Sequence, residues 1–132
     1  MQKISPEWIL RLGLGLMYLY SGFGLILNPT AWTWALPWWY KQMVAAVMPI
    51  EGYLKFQGAF EVLLAFLLLS FFLPQKITMM VAAVSSLEFL FILFFAPQFS
   101  ITFRDIGLLG ASLALLVITI KSDSNATNLT PE

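Results

Sequence analysis

The chain has no cysteine and no histidine. The first absence excludes structural disulfides, dithiol redox chemistry and thiolate ligation of iron–sulfur clusters. The second removes the usual axial ligand of haem and the commonest general base near neutral pH. Charge is scarce as well. Only 11% of residues are charged, and seven Lys plus Arg balance seven Asp plus Glu, so there is no basic surface to attract nucleic acid. No catalytic residue and no metal-ligating set stands out. Any chemistry must rest on carboxylates, Arg, Lys, Tyr or a cofactor brought by another subunit.

What the chain has in abundance is apolar surface. Of its 132 residues, 60% are hydrophobic and 16% aromatic, with a mean hydropathy of +0.84. A soluble domain of that size exposes too much of itself to be so apolar, so part of its solvent is lipid. The length predicts one domain. A membrane-crossing helix needs about 20 mostly apolar residues, and the spans 7–27, 53–73, 77–96 and 101–120 meet that criterion. The expected fold is an all-α, polytopic antiparallel bundle of four transmembrane helices over residues 1–121. The first span lacks a small-residue cleavage site and reads as a retained signal anchor.

The connections differ in kind. Pro74-Gln75-Lys76 is so short that the second and third spans are expected to form a tight antiparallel hairpin. Residues 28–52 are too many for a plain turn, and they carry Trp32, Trp34, Trp38, Trp39 and Tyr40. Amphipathic rings of this kind settle at the lipid headgroups. The stretch WWYKQMVAAVM between Pro37 and Pro49 suits a short interfacial helix, with Trp38, Trp39 and Tyr40 either in an ordinary aromatic belt or as a lid over the bundle mouth. The polar residues 122–132 are expected to be a disordered tail. Four spans put both chain ends on one side, the terminal face, with Lys3, Arg11, Lys76 and Lys121 near it. Lys41, Lys55 and Arg104 lie near the far face, so the positive-inside rule favours cytoplasmic termini.

Within the spans, ionisable groups are the informative residues. A charge at mid-helix costs at least about 2.5–3.5 kcal/mol on insertion scales, so it needs a partner or a wet cavity. Glu61 and Glu88 each lie eight residues from the far end of their spans, which puts both at about 12 Å depth at the helical rise per residue. Gln57, Gly58, Glu61 and Ala65 form one helical stripe; Ala82, Ser85 and Glu88 form another. Gly107 with Ala111, and Gly110 with Ala114, give the fourth span a small-residue surface suited to close packing. Both carboxylates should therefore face the bundle interior and titrate as a coupled pair. Arg104 is long enough to reach them from the far face. The expected interior cluster is Glu61, Glu88, Arg104 and Asp105, with Gln57 and Ser85 completing its hydrogen bonds.

Arg11 admits two readings. Glu7 precedes it at ion-pair spacing, which suits a paired, snorkelling arginine. Alternatively, the stripe Arg11, Gly15, Tyr18, Gly22 aims the guanidinium inward as a site for an anion or headgroup. The cluster as a whole has a bland reading, polar glue that fixes helix packing, beside ligand binding or redox support and proton or ion movement. LGLGL and SGFG are not nucleotide loops, since no strand precedes them and they sit mid-span.

Three stretches resemble the DoxX family of small bacterial membrane proteins. RLGLGLMYLYSGFGLILNPTAWTWALP (11–37) resembles that family's first helix, GAFEVLLAFLLL (58–69) its G-x-x-E second helix, and FRDIGLLGASLALL (103–116) its fourth. The chain departs from the family pattern in lacking a Lys soon after Gly24, and Arg104 is the candidate to replace that charge. The resemblance implies a four-helix protein of the bacterial inner membrane, linked with quinone-coupled oxidoreductases. Under it, the chain is an accessory subunit that binds a quinone, an isoprenoid or other lipid-like molecule, or a redox partner, as a homo-oligomer or within a membrane oxidoreductase complex. A purely structural subunit and a small proton-coupled transporter are the alternatives.

Overall fold

The computed structural model describes residues 5–95 and 99–128, and their side chains except those of residues 99–103 and 126–128. Helix α1 runs Pro6–Leu27, followed by a 3-10 helix at Pro29–Ala35, α2 at Trp38–Ala45, α3 at Ile50–Leu69, α4 at Gln75–Phe95 and α5 at Phe99–Asn128. Among the described residues there is no strand. Four of the helices are long and apolar enough to cross a membrane, within α5 over Arg104–Asn125. The protein is an all-α polytopic bundle.

Local signals explain most of the helix ends. The Ser5 side chain accepts from the Trp8 amide, Pro6 occupies the first turn, and Glu7 complements the positive end of the dipole of α1. Pro29 follows the Asn28 cap and stops it. Helix α3 starts at Ile50, three residues before the expected start, because Pro49 supplies the stiff entry and Glu51 sits in the first turn. It also stops four residues before the expected 73. Ser70 leaves the helical region (φ −75°, ψ 124°), and a side chain from α1 holds the freed carbonyls there.

Helix α5 continues past Ile120 as far as Asn128, so the first part of the expected disordered tail is helical; residues 129–132 lie outside the described residues. At 1.5 Å per residue its 30 residues extend about 45 Å, more than the roughly 30 Å of hydrocarbon. Its polar end therefore projects beyond the terminal face.

Packing does not follow the hairpin connection. α1 lies most closely on α3 and α4 on α5, while the hairpin partners α3 and α4 touch sparingly. The α1–α3 contact is backbone to backbone. A Cβ built on Gly58 would stand 2.6 Å from the Gly22 carbonyl oxygen, and one on Gly22 would stand 2.8 Å from that of Gly58. Glycine is required at both positions because the obstacle is main chain and cannot turn aside. The expected small-residue surface of α5 is different: Gly107 and Gly110 are exposed and meet nothing within 4 Å. Instead, α5 buries Asp105, Ser112, Leu115 and Thr119, a stripe at near-helical spacing. The Ser112 hydroxyl lies 3.1 Å from that of Ser86 on α4. Leu14, Leu64, Leu68, Val81 and Leu115 fill the centre from all four long helices.

Replacing Gly58 by Leu should separate α1 from α3 and destabilise the protein by at least the usual overpacking cost of about 1–3 kcal/mol. Gly110→Leu should leave thermal stability within about 0.5 kcal/mol, as expected for surface changes. Heating purified protein and following its monodisperse fraction by size exclusion distinguishes the two. Equal losses would refute the backbone contact.

Candidate functional site

Seen from the terminal face, the first polar constellation encountered is built on Arg11. Its residue is only 4% exposed, yet every arm of the guanidinium is occupied. Nε donates to the Leu68 carbonyl at 2.8 Å and Nη2 to the Ser70 carbonyl at 2.6 Å. Nη1 pairs with Glu7 at 3.4 Å, and Cζ stands 4.0 Å from the centroid of the Trp8 ring. Trp8 stacks on Phe71 at 4.5 Å, and Gln75 donates to the other Glu7 oxygen at 3.3 Å. The last carbonyls of a helix have no partner within it and carry the negative end of its dipole. Arg11 supplies both donors and charge to that end of α3. Both sequence readings of Arg11 capture part of this geometry. The Glu7 pair forms, and Arg11, Gly15, Tyr18 and Gly22 are all buried on one stripe. With its donors held by α3, however, the guanidinium caps a helix and is not available as an anion or headgroup site.

Toward the far face lies the second constellation. The Ser21 hydroxyl donates to Glu61 Oε2 in a close contact between α1 and α3. Tyr18 Oη donates to Glu88 Oε2 at 2.8 Å, and Gln57 Nε2 donates to Glu88 Oε1 at 2.8 Å. Glu88 is thus gripped from α1 and α3 at once. Tyr18 is almost fully buried and stacks on Phe89, with centroids 5.8 Å apart. Neither Glu61 nor Glu88 forms an ion pair among the described residues. The expected reach of Arg104 to these carboxylates does not occur: Arg104 Nε pairs with Asp105 Oδ1 at 3.6 Å, and its own side chain is 61% exposed. The neighbouring carboxylate satisfies the cation at the mouth without burying its charge. Asp105 Oδ2 is buried without a hydrogen-bond partner.

These groups line one cavity of about 550 Å³. Tyr18, Gln57, Glu61, Glu88, Arg104 and Asp105 all contribute to it. Ser85 does not: it is fully buried, and its Oγ, beside the Tyr18 phenol, has no well-formed hydrogen bond. The aromatic segment divides likewise. Trp39 and Tyr40 line the cavity, whereas Trp38 is 73% exposed and turns outward. An eight-residue helix has one inward face, and consecutive residues cannot all occupy it. Tyr40 Oη and Tyr53 Oη meet at 2.7 Å, Trp39 packs edge-on against Tyr40, and its ring leans on Phe95 at 5.8 Å. Trp32 and Trp34 from the 3-10 helix complete the rim, with Gly24 leaving room for the indole of Trp32.

Among the polar lining residues that escaped the sequence reading are Ser21, Tyr53 and Trp32 in its cavity role. Two had a signal. Tyr53, Gln57 and Glu61 follow one another at four-residue spacing, and Ser21 lies one turn from Tyr18. The placement of Trp32 depends on the path of the 3-10 helix, for which no periodicity gives warning.

Comparison of the chain with family models, with curated proteins and with solved structures finds no match.

Two measurements check this geometry. Tyr18→Phe and Gln57→Leu each strip one donor from Glu88 and should each cost about 1–3 kcal/mol, the penalty for an unsatisfied buried group. Because both act on one carboxylate, a double-mutant cycle in denaturant should show a loss differing from the sum by at least about 0.5 kcal/mol. Additivity would place the two residues in separate networks. Arg11→Met should destabilise the fold by at least about 1.5–3 kcal/mol, the range for a charged hydrogen bond. A stability equal to the parent's would remove Arg11 as the cap of α3.

Proposed function

We propose that this chain is a DoxX-like protein of the bacterial inner membrane, with its terminal face toward the cytoplasm. In this reading the cavity binds a lipid-like molecule such as a quinone or an isoprenoid, and the chain serves as an accessory, ligand-binding subunit of a membrane oxidoreductase complex. The observation that carries the proposal is the cavity itself. It is large enough for a small ligand, mostly apolar, and has a few polar groups converging on one wall. Tyr18, Gln57, Glu61 and Glu88 would hydrogen-bond the polar head. Arg104 at the rim would hold an anionic or carbonyl group, and the rings of Trp39 and Tyr40 would cover the apolar body. Electrons for any redox step would come from a partner subunit.

One observation favours a second reading, in which the cluster is packing glue. Three hydrogen bonds that Glu61 and Glu88 accept join two different helices: α1 to α3, α1 to α4 and α3 to α4. Buried polar bonds of this kind hold membrane helices in register.

Lipid extraction and mass spectrometry of gently purified protein separate the two. A stoichiometric quinone or isoprenoid is expected in the parent and its loss in Glu61→Gln, with the variant still eluting as folded protein. A Glu61→Gln protein that unfolds, from a parent that carries no such molecule, would leave packing as the role of the cluster.

A further inference from the structure

The wall of the cavity has more negative groups than positive ones. Three carboxyls line it against one guanidinium, and that guanidinium is spent on Asp105. The hydroxyls of Ser21 and Tyr18 and the amide of Gln57 reach the other two carboxyls; no cation among the described residues forms an ion pair with either, although Arg104 is near enough for its charge to act on Glu61. Asp105 is only 2% exposed and keeps Oδ2 without a partner. An unpaired acceptor in such a place is expensive, so it points to a donor that the described residues do not supply. The rest of the lining is aromatic. Tyr40 and Tyr53 stand hydroxyl to hydroxyl at the mouth, with Trp39 against them. Ring faces attract a cation, and more strongly where water is excluded.

From this pairing of three carboxyls and one guanidinium with aromatic walls, we infer that the cavity accepts an amphiphilic organic cation, a protonated amine carried on an apolar body. The inference rests on the reading of this cavity as a ligand site and assigns the head group that it recognises. An ammonium would add positive charge beside Glu61 and Glu88, an N–H donor for the free Asp105 oxygen, and a cation for the rings. A charge-assisted hydrogen bond to a carboxylate is about twice as strong as a neutral one, which sets ammonium apart from a neutral head of the same shape. A carboxyl that holds its own proton cannot also ion-pair with the amine. The occupied and protonated forms of the wall therefore exclude each other, and a neutral ligand and a cation become alternatives at one site.

The test uses the full chain in lipid nanodiscs and two fluorescent probes with one body: monodansylcadaverine, a primary amine, and its N-acetyl derivative, which is neutral. At neutral pH the amine should bind at least about tenfold more tightly than the amide, as a desolvated charged contact requires. In the Glu61→Gln, Glu88→Gln double variant that preference should fall to about twofold or less. Elution as one species by size exclusion shows that the double variant is folded. Equal affinity of the two probes for the parent overturns the cation inference and leaves the cavity as a site for neutral ligands. Binding of neither probe overturns the ligand site as well. A preference that survives the double variant overturns the assignment to these carboxyls. If the double variant does not elute as one species, Asp105→Asn takes its place, with a reduced preference expected and an unchanged one counting against the inference.

Discussion

The contact between the Gly22 and Gly58 backbones sets the spacing of α1 and α3, and the polar interior depends on that spacing. With main chain against main chain, a short hydroxyl such as Ser21 reaches across to Glu61. One turn away from the contact, Tyr18 passes α3 and meets Glu88 on α4. A wider gap would leave both carboxylates without their donors in a medium that provides none. Side-chain hydrogen bonds within a membrane are individually modest, on the order of 0.6 kcal/mol in measured cases, so they cannot create this approach themselves. Close packing of the glycines comes first, and the hydrogen bonds then determine which residues stand opposite one another.

The two ends of the bundle solve the problem of buried charge differently. At the terminal face, Arg11 is neutralised by helix carbonyls, a carboxylate and a ring, all supplied by the chain. At the far face, the carboxylates receive neutral donors only, and the nearest guanidinium stays at the surface with Asp105. The first arrangement is complete in itself; the second retains unmet acceptor capacity beside open volume. This asymmetry makes the far end a candidate for function and the terminal end a candidate for stability.

Hydropathy made the four spans legible, because lipid imposes a length that a single sequence can be scanned for. The inward direction of Glu61 and Glu88 was legible too, since a carboxylate amid apolar residues has few affordable surroundings. Partner choice was much less so. Arg104 could reach several carboxylates by length alone, and it pairs with the one next to it in sequence. Rotation decides the fate of small residues: Gly58 touches a neighbouring backbone, whereas Gly107 touches nothing, although both sit in similar company. The early end of α3 at Leu69 was hidden for a related reason, as the side chain that stabilises it lies 57 residues upstream.

The Arg11 seal also bears on traffic through the bundle. Between the carboxyl layer and the terminal face, the interior is filled by Leu14, Leu68 and Leu115, and beyond them the guanidinium is tied to the end of α3. Among the described residues, a solute in the cavity would face this leucine layer on that side and, behind it, a guanidinium held by the Leu68 and Ser70 carbonyls.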